Sequence, residues 1–215
     1  MGVMAGLLPT DENDSDRLVL GLLTSLEADG AQSQRRMAAD LGVALGLVNA
    51  YLKRAIKKGF VKVGQAPARR YAYYLTPQGF SEKSRLTVQF LSDSFSLFRK
   101  AKEEYGRLFE RAQALGFRRV VLAGQSDLCE IAILCAVDGP VSVLAIVDPD
   151  ATATRFIGVK VVSSYALVDE PFDAVVVTHL TAARSVFEQA VSNFGAEKVL
   201  APDLLGLRPK QSLGA

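Results

Sequence analysis

Apolar residues recur at helical spacing in the first part of the chain. Four leucines share one face of this segment: Leu18, Leu22, Leu23 and Leu26. They predict a helix over residues 16–29 that stops at Gly30. A shorter helix is predicted over Gln34–Leu41, with Ser33 as its N-cap. Gly42 ends this helix, because glycine readily adopts the left-handed conformation that follows a helix.

A third helix is predicted over Ala44–Lys58, with Gly59 after it. Its predicted core face consists of Leu47, Val48, Tyr51, Leu52, Ala55 and Ile56. Its opposite face consists of Leu45, Gly46, Asn49, Lys53, Arg54 and Lys57. The runs FVKVGQ (60–65) and RYAYYLT (70–76) then predict a β-hairpin with a basic tip. Three helices followed by such a hairpin predict a winged helix-turn-helix domain in residues 1–80.

Charge is strongly segregated, although the chain carries a net charge of only +2. Residues 33–80 contain nine Lys and Arg side chains and one acidic side chain, Asp40. A merely solvated basic face would also produce such a run, and winged helices also bind proteins. The concentration of charge on the third helix and on the hairpin favours double-stranded DNA as the partner. The candidate DNA contacts are Gln34, Arg35, Arg36, Ala44, Leu45, Gly46, Asn49, Lys53, Arg54, Lys57, Arg69 and Arg70.

These contacts have different predicted roles. The small residues at the start of the third helix permit close approach to base edges, and Asn49 can read adenine through two hydrogen bonds. Lys53 and Arg54 suit phosphates or guanine. Arg69 and Arg70 suit a phosphate or a narrow minor groove.

A long helix is predicted over residues 81–115, about 50 Å at 1.5 Å per residue. One heptad series consists of Leu91, Phe98, Tyr105 and Ala112, and a second of Ser94, Ala101, Leu108 and Leu115. Phe90, Phe95 and Phe109 widen the stripe. The stripe needs a partner surface. Two interpretations stay open: packing on the chain's own domains, or homodimerisation that spaces two recognition helices about one DNA turn apart.

Residues 117–215 change to continuous Val, Leu and Ile runs that alternate with helices. Strands are predicted within 119–125, 141–150, 159–162, 173–180 and 197–202, and helices over 127–137 and 182–194. Such runs predict a parallel sheet covered on both faces. The expected fold class is therefore α/β overall: a winged helix-turn-helix, a connecting helix (81–116) and a Rossmann-like domain.

The carboxyl ends of these strands are the expected ligand site of such a sheet. The candidate cofactor-binding residues there are Gly124, Gln125, Ser126, Asp127, Asp148, Thr178, His179 and Pro202. The dinucleotide fingerprint G-x-G-x-x-G is replaced by Gly124, Ser126 and Cys129, and Asp127 would repel a phosphate at the helix start. A dinucleotide, a nucleotide or nucleotide-sugar, and no small ligand at all therefore remain three alternatives.

The sequence gives little indication of metal binding or catalysis. Cys129, Cys135 and the single histidine, His179, are too few for a metal cluster, and no catalytic trio is visible from spacing. The two cysteines are expected to be buried apolar residues. We expect a cytoplasmic protein without a membrane span or secretion signal, and not an enzyme. The alternatives are a regulator whose C-terminal domain binds protein, and a nucleotide-sugar or dinucleotide enzyme with a DNA-binding appendage.

Two motifs within residues 16–105 resemble MarR-type regulators associated with exopolysaccharide gene clusters. They are LGVALGLVN (41–49) and YAYYLTPQGFSEKSRLT (71–87). The resemblance implies sequence-specific transcriptional regulation, usually as a dimer. Residues 67–70 (PARR) replace the acidic-x-Arg pair that is common in MarR wings.

The C-terminal part resembles two further families. A winged helix followed by a Rossmann domain is similar to the redox-sensing repressors that read the NADH/NAD balance, with DAVVVTHL (173–180) and KVLAP (198–202) against their late strands. GQSDLCEI (124–131) and VLAIVDPD (143–150) resemble the nucleotide-binding-type domain at the front of sugar acyltransferases. These resemblances imply a dinucleotide or a nucleotide-sugar as effector.

Overall fold

The computed structural model describes residues 11–66 and 70–207. The described residues divide into two compact units, one ending at Phe95 and the other beginning at Ser96. No helix among them is long and apolar enough to cross a membrane.

The first unit has the predicted winged helix-turn-helix topology. Its elements are α1 (Asp11–Ala28), α2 (Gln34–Leu41), α3 (Leu45–Lys57), β1 (Val61–Ala66) and β2 (Arg70–Leu75). The two strands pair antiparallel, with Lys62 opposite Tyr74 and Val63 opposite Tyr73. The hairpin therefore forms as predicted.

The capping of α2 confirms the predicted ends of this helix. The Ser33 hydroxyl accepts a hydrogen bond from the backbone N–H of Arg36 at 3.2 Å, as an N-cap does. Gly42 has φ = 66°, and its N–H donates to the carbonyls of Ala38 and Ala39. α2 and α3 are thus separated by the short glycine turn of a helix-turn-helix.

Leucine side chains from α1 meet α2, α3 and the hairpin in one core. Its buried members include Leu22, Leu23, Leu26, Met37, Val48, Leu52, Phe60, Val61 and Tyr73. Leu47 and Ile56 were expected in this core, but they are 39% and 37% exposed. The prediction for these two residues was wrong, because the buried face of α3 is narrower than the run of apolar residues and consists of Val48, Leu52 and Ala55.

The long helix, α4, covers Pro77–Ala114 and so begins four residues earlier than expected. Thr76 caps it: its buried hydroxyl accepts a hydrogen bond from the N–H of Gly79 at 3.0 Å and donates to the carbonyl of Gly59. Proline suits the first helical position, since that position needs no N–H. The helix start is thereby tied to the loop between α3 and β1.

The second half of α4 belongs to the core of the α/β unit. Its buried residues are Ala101, Tyr105, Leu108, Phe109 and Ala112. The hydroxyl of Tyr105 donates to the carbonyl of Val177 at 3.0 Å. The chain itself therefore covers this half of the stripe, as the first of the two interpretations expects. Leu115, the last apolar position of the second heptad series, is exposed.

A six-stranded sheet forms the α/β unit. Its strands are β3 (Arg119–Ala123), β4 (Ser142–Val147), β5 (Arg155–Phe156), β6 (Val159–Val162), β7 (Ala174–Val177) and β8 (Val199–Leu200). Their order is β5-β6-β4-β3-β7-β8, and all neighbours are parallel except β5 and β6. Without the unpredicted β5, this is the strand order of a Rossmann-type sheet.

Helices cover both faces of the sheet, as a parallel sheet requires. α4 and α5 (Asp127–Val137) pack against one face, and α6 (Ala183–Phe194) packs against the other. The chain order reverses between β3 and β7, so the carboxyl ends of these strands form the switch point of the fold.

Two helical glycines in α4 differ in their surroundings and yield a stability prediction. A Cβ at Gly106 would meet no atom within 4 Å, whereas a Cβ at Gly79 would lie 2.0 Å from the carbonyl oxygen of Phe60. Gly106→Ala should raise the free energy of unfolding by about 0.5–1 kcal/mol, since alanine loses less backbone entropy. Gly79→Ala should lower it by about 1–3 kcal/mol through overpacking. Urea unfolding followed by circular dichroism measures both, and a destabilised Gly106→Ala variant would contradict the analysis.

Candidate nucleic-acid interface

The solvent face of α3 carries small and basic residues. Gly46, Ala50, Lys53 and Lys57 are exposed on the side opposite Val48, Leu52 and Ala55. Arg54 is also exposed, and its guanidinium lies 5.3 Å from the ring centre of Tyr51. The absence of bulk near the start of this face permits close approach to a groove edge, and the lysines provide positive charge beyond it.

The start of α2 lies beside the start of α3 and the second strand of the hairpin. Arg35 and Arg36 are exposed, and Arg36 lies 3.9 Å from Asp40, the sole acidic side chain of α2. The Gln34 amide donates a hydrogen bond of 2.8 Å to the hydroxyl of Tyr73. One groove is lined by residues of all three elements: Gln34, Arg35, Arg36, Leu45 and Tyr71. The structure therefore brings together the candidates of α2, the first residue of α3 and the wing.

Asn49 lies at the edge of the exposed face of α3. Asn49 as a whole is half-buried, but its side-chain oxygen, Oδ1, is buried without a hydrogen-bond partner. Reading adenine requires both the oxygen and the nitrogen of the amide. The side chain must therefore rotate outward before it can read a base as predicted.

The basic tip of the wing falls partly outside the described residues. Arg69 lies there, and for Arg70 only the backbone, paired with Ala66, is described. Three exposed residues of the wing were missed by sequence reasoning: Lys62, Tyr71 and Tyr74. Strand alternation signals Tyr74, because its neighbour Tyr73 packs into the core, whereas Tyr71 shares the face of Tyr73 and is nevertheless exposed.

Two acidic side chains of α1 pair with basic side chains of α4. Lys83 forms an ion pair with Glu27, and Arg85 lies 3.9 Å from Asp16. The hydrogen bonds from Arg85 to Glu82 lower the pKa of that carboxyl group. Glu27 and Asp16 are therefore matched by positive charges of α4, whereas Asp29 lines the same groove as Arg35 and Arg36.

At the carboxyl edge of the sheet, Gly124 and His179 are in close contact. Gly124 has φ = +101°, and a Cβ there would lie 2.4 Å from the Cβ of His179. Thr178 is fully buried, and its hydroxyl donates to the carbonyl of Gly124 at 2.6 Å. The space beside Gly124, the first position of the fingerprint, is thus occupied by His179 of the same chain.

The neighbouring candidates also bond with one another. Buried Asp148 accepts hydrogen bonds from the N–H groups of Gln125 at 2.8 Å and Asp150 at 3.0 Å. Ser126 caps α5 by accepting from the N–H of Leu128, and its hydroxyl donates to the carbonyl of Thr178. The structure therefore brings these sequence-predicted residues together, but as a hydrogen-bonded network.

His179, Asp127 and Pro202 do not take part in this hydrogen-bonded network. His179 Nδ1 accepts a hydrogen bond from the N–H of Ala182 at 3.0 Å, before α6. Asp127 is exposed at the start of α5. Pro202 lines a cleft that is also bordered by α4.

Cys129 is buried as expected, but the same expectation was wrong for Cys135. Burial raises the pKa of the Cys129 thiol to about 12. Cys135 is half-buried, and burial also raises its pKa. Within residues 11–66 and 70–207, no group of three or more His, Cys, Asp or Glu side chains could hold a metal ion.

Comparison with known proteins supports the assignment of the first unit. The family model described as winged helix-turn-helix DNA-binding matches residues 13–62. These residues contain α2, α3 and the start of β1, with nearly all of α1. The matched residues thus contain the three helices of the winged helix-turn-helix fold and the start of its wing. A search of curated proteins found no match.

Solved structures of two kinds are similar to the chain. The PcaV transcriptional regulator from Streptomyces coelicolor has a TM-score of 0.35 and 19% identity, over 42% of this chain and 62% of that chain. The zinc-dependent MarR family regulator AdcR has a TM-score of 0.32 and 15% identity, over 48% and 68%. The O-methyltransferase NcsB1 from neocarzinostatin biosynthesis, bound to S-adenosyl-L-homocysteine, has a TM-score of 0.27 and 12% identity, over 94% and 66%. The chain thus spans less than two thirds of the length of PcaV and of NcsB1.

Proposed function

We propose that the protein is a sequence-specific, homodimeric transcriptional regulator of the MarR type that binds double-stranded DNA. The observation that carries the proposal is the exposed basic face of α3 within a matched winged helix-turn-helix domain. α3 enters the major groove, where Asn49 reads a base after rotating outward. Arg35, Arg36, Lys53 and Lys57 bind phosphates and fix the register of the helix. The sequence resemblance extends this proposal to exopolysaccharide genes.

The first half of α4 supports the homodimer. Val88, Leu91 and Phe95 follow one another at intervals of three and four residues, and they are 67%, 47% and 60% exposed. This spacing places them on one face of the helix, and it is the spacing by which identical helices pair. We therefore assign this face to a second copy of the chain.

The α/β domain is proposed as the regulatory domain, with two alternatives for its carboxyl edge. A dinucleotide or nucleotide-sugar must displace His179 and release Asp148 from its backbone partners before it can bind there. The hydrogen-bonded network favours the other alternative, in which this edge is structural and the domain contacts a protein. His179 lies at this edge, but the sequence shows no catalytic trio from spacing, and we propose a regulator and not an enzyme.

The DNA-binding proposal predicts a change in salt dependence. An operator selected from genomic fragments is titrated with the wild type and Lys53→Ala at several salt concentrations, with fluorescence anisotropy as the readout. Loss of one phosphate contact should reduce the slope of log K against log salt by about 0.9 and weaken all sequences similarly. Arg184→Ala, which removes an exposed arginine from α6, is the control and should change nothing. Equal slopes for wild type and Lys53→Ala would refute the placement of α3 on DNA.

Substitution of Asn49 should affect DNA binding differently from substitution of Lys53. If Asn49 reads a base, Asn49→Ala should cost about 1–3 kcal/mol on the operator and little on scrambled DNA. Competition between the two DNA sequences measures the discrimination directly. Equal losses on both sequences would show that Asn49 has no role in base recognition.

The dimer proposal predicts that one charge on α4 separates the protomers. Leu91→Asp places a carboxylate in the proposed interface and should yield monomers in sedimentation equilibrium. Ser96→Asp introduces the same charge at an exposed position on another side of α4 and should leave the dimer intact. A dimeric Leu91→Asp variant, or a monomeric wild type, would contradict the proposal.

The two alternatives for the carboxyl edge are separated by His179→Ala. If His179 excludes nucleotides, this variant should gain a thermal shift with NADH, NAD or a nucleotide-sugar that the wild type lacks. If the wild type already shows a shift, the edge is an effector site that rearranges. Absence of a shift in both proteins would support a structural edge without a ligand.

A further inference from the structure

One cleft of the α/β unit lies between the second half of α4 and the end of β8. It has a volume of about 520 Å³, which suits a small organic molecule. α4 contributes Glu104, Arg107 and Leu108, while the segment from β8 onward contributes Leu200 and Asp203. The predicted effector site at the carboxyl edges of β3 and β7 does not use these residues of α4.

Glu104 is the unusual group of this cleft. Its residue is only 7% exposed, and one carboxylate oxygen accepts a hydrogen bond from the N–H of Leu204 at 2.7 Å. Among the described residues no Lys or Arg side chain forms an ion pair with it, and Arg107 pairs instead with the exposed Glu103 at 3.6 Å. A buried carboxylate that lacks a cation is costly, so a cation from outside the chain would stabilise it.

The rest of the lining favours a cation with an apolar body. Glu197 and Asp203 add two further carboxylates, and Arg107 and Arg111 line the same cleft, so the carboxylates outnumber the guanidinium groups by one. Leu108 and Leu200 provide apolar surface between these charges, and both are buried against the core. A molecule with an ammonium or guanidinium group and a short hydrocarbon chain matches both features.

We propose that this cleft binds a small organic cation, with Glu104 as the group that recognises its amine or guanidine. The binding site itself is independent of the DNA-binding proposal, whereas its use as an effector site rests on that proposal. α4 forms one wall of the cleft and continues without interruption from Pro77 to Ala114. Ligand contacts at Glu104 therefore act directly on the helix that begins at the winged domain.

The test is calorimetric titration of the full chain with 1,4-diaminobutane, benzylamine and methylguanidine, with 1,4-butanediol as the neutral counterpart of the diamine. At least one cation should bind the wild type, and the diol should not. Glu104→Gln retains an oxygen for the N–H of Leu204 but removes the charge, so binding should weaken at least tenfold. Glu103→Gln removes the neighbouring exposed carboxylate and should bind as the wild type does.

Several results would overturn the proposal. They are the absence of binding by all three cations at millimolar concentration, equal binding of diol and diamine, and unchanged binding by Glu104→Gln in a protein with wild-type circular dichroism. Operator affinity is measured separately without a cation, so a failure of DNA binding leaves the calorimetric result intact. If both hold, adding the cation that binds should shift operator affinity in the wild type and not in Glu104→Gln.

Discussion

The α/β domain depends on a helix that it shares with the rest of the chain. A parallel sheet must be covered on both faces, and on one face α5 alone does not suffice. The face is completed by three residues of α4, Ala101, Tyr105 and Phe109. The Tyr105 hydroxyl also donates a hydrogen bond to the carbonyl of Val177 in β7. The same helix starts at the Thr76 cap of the winged domain, so one continuous segment belongs to both units. Only its second half is covered by the α/β core, and Val88, Leu91 and Phe95 of its first half stay exposed.

Capping residues and continuous apolar runs made much of the fold predictable. Ser33 and Gly42 define α2 through local chemistry that does not depend on tertiary contacts, and the ends of this helix were predicted exactly as observed. The start of α4 was missed, although Thr76 followed by Pro77 is itself a helix-start signal. β5 was missed for a different reason: it has two residues, and its turn uses Ile157 at φ = 48°, a conformation that β-branched residues rarely adopt.

At the candidate sites, residue types alone predict which residues meet but not how their side chains are bonded or buried. Strand ends predicted that Gly124, Asp148 and His179 would meet, because topology brings those ends to one edge. The sequence could not show that their polar atoms bond to each other, since this depends on side-chain geometry after folding. Periodicity likewise placed Asn49 on the outer face of α3, but at the edge of a face a small rotation decides whether an amide oxygen is buried. Glu104 was missed although it lies three residues after Ala101 and four before Leu108, because a carboxylate is not expected on an apolar stripe.

Small changes in the stability of α4 are comparable in free energy with the coupling between a ligand and DNA. Coupling between a ligand and DNA typically amounts to about 1–3 kcal/mol, and it arises only when the ligand prefers one arrangement of the protein. Gly106 lies in the same half of α4 without a steric reason for glycine, and it weakens the helix by about 0.5–1 kcal/mol relative to alanine. This weakening is therefore comparable in size with the lower end of the coupling free energy. If the exposed face of Val88, Leu91 and Phe95 pairs with a second protomer as proposed, a change of geometry in α4 would also alter the spacing of the two recognition helices.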